Sequence, residues 1–150
     1  MKKSPKGRQL EGVLRSSKLA AGGFMGADSR SLEEILDADA AAVEALGFTM
    51  AQIAGRMREL SDEGKKGLGT PVKVGDNLKV LVEESRGEIV CPLPHPGKFR
   101  KSFTVARRTD TGESVTWSDL SIHMIKEHGF FEGYGSAFRL DPEKLVEIIF

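Results

Sequence analysis

A single cysteine, Cys91, stands in 150 residues, so no internal disulfide can form and a reducing, cytoplasmic setting is expected. Charge of one sign is not in excess. The 22 basic and 22 acidic side chains cancel to a formal net charge of zero, which removes overall basicity as an argument for nucleic acid. No apolar run approaches the roughly 18 residues that a membrane span needs, so no membrane partner is expected. The basic start, MKKSPKGRQLEGVLRSSKLAAGGF, has no apolar stretch of secretory length. Internal repeats and low-complexity tracts are absent. An apolar fraction of 39% and a charged fraction of 29% are those of an ordinary globular domain. At this length a chain buries roughly two-thirds of its unfolded surface without staples.

What is present is unevenly placed. The cysteine, all three histidines, the one Trp, the one Tyr and five of the eight Phe lie between Cys91 and Phe138. Within that stretch Trp117–Ser136, WSDLSIHMIKEHGFFEGYGS, is the best candidate for a functional surface.

The patterning predicts an α+β domain: an N-terminal helical hairpin packed with a small antiparallel β-sheet, and two short C-terminal helices. Residues 1–30 carry Lys2, Lys3, Lys6, Arg8, Arg15 and Lys18 and read as a basic, flexible arm, docked at most through Leu14, Leu19 and Phe24. Residues 31–150 read as one domain, with the hairpin over 31–66 and the sheet plus C-terminal helices over 70–150. Ser31 with Glu34 makes a capping box, Gly47 ends the first helix, and Thr49 starts the second. Val72–Glu83 alternates around a turn at Gly75-Asp76-Asn77, and Glu88–Cys91 continues after an Arg86-Gly87 turn. Pro92, Pro94 and Pro96 force an extended loop. Ser102–Arg107 and Glu113–Trp117 flank a hairpin turn at 109–112. Thr116 with Asp119 predicts a further capping box opening a helix that ends near His128 and Gly129. Phe138–Leu140 suits a short strand, and Asp141-Pro142 opens a final helix.

The leading functional expectation is a binding or regulatory protein without enzymatic activity. Its contact surface is centred on the aromatic-glycine loop 129–136 and the basic strand 98–108. Tyr134, between two glycines, is the exposed aromatic, while Phe130 is expected to plug the core. Arg100, Lys101 and Arg107 would receive a protein partner or a small acidic ligand, with Lys101 and Arg107 sharing a strand face. Self-association as a homodimer through apolar helix or loop surfaces carries base-rate weight.

Two alternatives follow from residue type. An enzyme would use His123, Glu127 and His128 for acid-base chemistry, with or without a metal. No cofactor is expected; the side chains able to ligate a metal are Cys91, His95, His123 and His128. The spacing of the last two argues against that set, because helix positions five apart point about 140° from one another unless the helix ends there. HMIKEH is also one residue longer than the metalloprotease pattern. A DNA-binding helix-turn-helix would place helix 49–60 in the major groove with Gln52, Arg56 and Arg58 reaching bases or phosphates. Against it stand Val43 at the helix crossing and eight acids to two bases over residues 31–64.

Overall fold

The structure, a computed structural model, describes Leu14 and residues 23–91 and 97–150. His95, the proline loop around it and most of the basic arm lie outside the described residues. Four described helices and four strands make the α+β fold: α1 (Leu32–Ala45), α2 (Met50–Lys65), β1 (Val72–Val74), β2 (Leu78–Val90), β3 (Lys98–Arg108), β4 (Ser114–Ser118), α3 (Asp119–His128) and α4 (Pro142–Ile149). No described helix is long and apolar enough to cross a membrane.

Local signals set the helix starts. Ser31 and Glu34 form the expected capping box at α1, and Thr49 with Gln52 forms one at α2. At α3 the box moves. Thr116 is held in β4 opposite Val105, so the cap falls on Ser118, whose side chain accepts from Ser121 N–H. At α4 Asp141 takes the N-cap position before Pro142 but makes no side-chain cap bond.

The strands form an antiparallel meander in the order β1-β2-β3-β4. β2 is a single 13-residue strand, and Arg86-Gly87, read from sequence as a turn, instead sits at a register shift between Ser85 and Glu88. Pairing with β3 on both sides carries the strand through that bulge. Residues 138–140 form no strand; Leu140 N–H bonds Phe131 O instead.

α2 and α4 pack on one face of the sheet, and Ile122 and Ile125 of α3 join the same core. α2 lies on the face carrying Val80, Val82, Thr104, Ala106 and Trp117. Gly64 of α2 meets that face directly, for an added Cβ would collide with Val80 and Val82. Inside this core Trp117 Nε1 donates to Ser61 Oγ at 2.9 Å, and Ser61 Oγ bonds Thr104 Oγ1 at 2.7 Å. That small network fixes α2 on the sheet, because all three groups are buried. α1, joined to α2 by the short turn at Gly47, reaches away to pack on α4.

A second core gathers Leu14, Phe24, Met25, Leu32, Ile35, Cys91, Leu120, Met124 and Phe130. Residues 23–28, the described end of the expected arm, are therefore docked. Gly133 N–H donates to Phe24 O, and Ala27 N–H donates to Tyr134 O. The approach needs glycine on both sides: a Cβ at Gly26 or Gly133 would run into the opposing backbone.

Replacing Ser61 by Ala leaves the Trp117 N–H and the Thr104 hydroxyl without their buried partner. The expected loss is about 1–3 kcal/mol in chemical denaturation; an unchanged midpoint would show that the network adds nothing.

Candidate metal centre

The cysteine reaches its position through the β2–β3 hairpin. Its N–H donates to Gly97 O at 2.9 Å, closing the base of the loop, and the residue is only 4% exposed. α3 packs beside α2 and over β3, which carries its histidines to the same hairpin base. The His123 ring lies 4.6 Å from the Phe99 ring, centroid to centroid. His128 Nε2 stands 3.8 Å from Cys91 Sγ, and the two imidazoles meet edge to face at 5.2 Å. One ligating atom from each of Cys91, His123 and His128 fits within 4.8 Å of the others.

The two histidines thus converge despite their spacing, and the helix end explains it. α3 stops at His128 because Gly129 turns left-handed at φ +62°. The N–H groups of Gly129 and Phe130 bond back to Ile125 O and Met124 O. With no further turn above it, the His128 ring can lean over the hairpin base.

Zinc bonds of 2.0–2.3 Å place tetrahedral ligands about 3.3–3.8 Å apart. The Cys91–His128 separation of 3.8 Å already matches. Separations as wide as 4.8 Å would close by about 1–1.5 Å, within reach of side-chain rotation. The same Cys91–His128 pair also has the geometry of a thiol–imidazole hydrogen bond.

Other expected site residues fall elsewhere. Glu127 is exposed and outside the cysteine–histidine group. Lys101 and Arg107 do share a face of β3, while alternation puts Arg100 on the other. Tyr134 is 54% exposed, with the Arg30 guanidinium 4.3 Å and the Arg139 guanidinium 4.9 Å from its ring centre. The main chain of its loop is occupied by residues 24–28. In α2, Gln52 accepts from Thr49 N–H, Arg56 Nε donates to Ile149 O, and Arg58 stands 3.8 Å from Asp119. Side chains that a helix-turn-helix would direct at DNA have partners within the chain.

No family model matches this chain, and neither does any curated protein or solved structure. The chemistry of the site therefore rests on its own geometry.

Sequence reasoning passed over a buried ionic cluster under the aromatic-glycine loop. Arg139 forms a two-pronged pair with Asp39, at 2.5 and 2.9 Å, and also donates to Glu132 O at 2.8 Å. Nearby, the Arg30 side chain holds the Asp28 carboxyl well below the usual carboxylate range. Glu132 itself is 5% exposed, at φ +68°. Burial pushes its carboxyl up to about 7, against the opposing pull of the Ser136 hydroxyl and the Arg139 charge. A single buried acid in a loop leaves no periodic signal.

Because its pKa is raised in the fold, Glu132 contributes stability that is complete below about 4.5 and lost as pH rises toward about 7. Relative to Glu132→Gln, the native protein is expected to lose up to about 3 kcal/mol across that window in urea titrations. Parallel stability curves for the two proteins would contradict the assignment.

Proposed function

We propose that this chain is a transition-metal-binding protein of regulatory type, with Cys91, His123 and His128 as the ligands. The observation that carries the reading is the convergence of one sulfur and two imidazole nitrogens within 4.8 Å. A thiolate with two imidazoles suits zinc(II) or copper(I) better than the hard oxygen-seeking cations. Zinc(II) is the first choice, since the three donors can take corners of its tetrahedron and leave the fourth to water or an outside ligand.

The bound ion would fasten the base of the β2–β3 hairpin to the last turn of α3. Both segments belong to the core that also holds Phe24, Met25 and Phe130. Metal occupancy would then stabilise the docking of residues 23–28 and the shape of the Tyr134 loop, which is how a binding domain can be made metal-dependent. A cytoplasmic setting fits, because reducing conditions keep Cys91 available as a thiol. The acid-base enzyme reading has less support, since Glu127 stands apart from the group.

Untagged protein purified without chelator is expected to carry about one metal ion per chain, by elemental analysis. Cys91→Ser, His123→Ala and His128→Ala should each lose it. Zinc at about 100 times its Kd should stabilise the native protein by about 2.7 kcal/mol and leave the variants unchanged. Release should follow as pH falls, because the thiolate and imidazoles must be deprotonated to bind. Metal-free protein whose melting zinc does not shift would end the proposal.

A further inference from the structure

The face of the sheet opposite α2 and α4 carries an arrangement that the metal site does not use. Register places Lys73 opposite Lys79, and Lys79 opposite Arg107. Three exposed cations thus lie side by side on adjacent strands, in a row about 10 Å long. Like charges directly across strands repel. Among the described residues no ion pair to any of the three is present. Edge protection accounts for Lys73 on β1, but Lys79 and Arg107 are on the two central strands. The next row presents half-buried Leu81 and Val105; one row further, Glu83 is exposed and Phe103 is covered by the Phe138 ring at 5.4 Å. The face is cationic at one end and apolar beside it.

Complementary chemistry is present on the same chain. α1 contains five acids and no base (Glu33, Glu34, Asp37, Asp39 and Glu44). Its buried side is Leu32, Ile35, Asp39 and Val43. At 100° per residue, Glu33, Asp37 and Glu44 fall within about 40° of one another, along about 16 Å of helix. All three are exposed, and Ala40 lies in the same stripe. An acidic stripe with a small apolar residue in it matches a cationic row with an apolar strip beside it.

We infer that the bare sheet face docks the acidic α1 stripe of a second copy of this chain. The two surfaces differ, so the contact is head-to-tail and does not close as a two-fold dimer; copies add in series unless the rotation makes a ring. A net charge of zero permits this, because no overall repulsion opposes association. The inference is independent of the metal proposal.

The test is sedimentation velocity over a concentration series, at about 20 mM and about 500 mM salt, where screening differs several-fold. The average mass is expected to rise with concentration beyond a dimer in low salt and fall to the monomer in high salt. Lys79→Glu with Arg107→Glu should be monomeric in low salt, as should Glu33→Lys with Asp37→Lys and Glu44→Lys. All five positions are exposed, and circular dichroism checks that the fold is kept. Mixing the two variants restores complementary faces and should restore association. A wild-type chain that stays monomeric in low salt overturns the inference, as does association that both variants retain. If that monomer instead binds a single-stranded oligonucleotide through Lys79 and Arg107, the face belongs to a polyanion and not to a second copy.

Discussion

The left-handed turn at Gly129 is the constraint on which most of the functional half depends. It ends α3 at His128 and reverses the chain at once. His128 is thereby the last side chain of the helix, and its ring lies over the hairpin base with Nε2 3.8 Å from Cys91 Sγ. Phe130 is sent into the core shared with Cys91, and Phe131 into the core under the sheet. One backbone conformation so ties together the histidine pair, both aromatic plugs and the entry to the loop that meets residues 24–28. A side chain at position 129 would face the strain of φ +62°, which glycine tolerates.

The second organising choice is one-sidedness. α2 and α4 pack on the face where Trp117, Ser61 and Thr104 bond to one another, and the opposite face keeps its cations and half-buried apolar groups. Zero net charge conceals this segregation: acids collect on α1, while Lys73, Lys79 and Arg107 line up on the opposite face of the sheet. Composition sums the charges, whereas association responds to where they lie.

Local chemistry was readable from the sequence. The α+β class, the capping boxes at Ser31 and Thr49, the turn glycine at 47 and the pairing of β3 with β4 all rest on signals within a few residues. Errors arose where a distant partner decides. Arg86-Gly87 looks like a turn until β3 pairs on both sides of it, and Thr116 looks like a cap until β4 claims it. The Asp39–Arg139 pair spans 100 positions, which no local pattern encodes. Five-residue spacing of His123 and His128 argues against a shared site on a continuing helix, but the adjacent Gly129 was the sign that the helix stops. Leu14 and Phe24 were legible as anchors of the arm, and both are buried, but the close backbone approach was not: Gly26 and Gly133 suggest breaks when read alone, and a close approach only as a pair.

The central claim is that one thiolate and two imidazoles share a metal ion, and cobalt(II) substitution tests it most directly. Cobalt(II) added to reduced, metal-free protein should give intense visible bands of a tetrahedral site together with a near-ultraviolet thiolate-to-cobalt band. Zinc(II) should bleach both, Cys91→Ser should lose the charge-transfer band, and His123→Ala or His128→Ala should weaken the visible bands. A spectrum no different from that of aqueous cobalt(II) would contradict the account and leave Cys91 and His128 as a thiol–imidazole contact within the core.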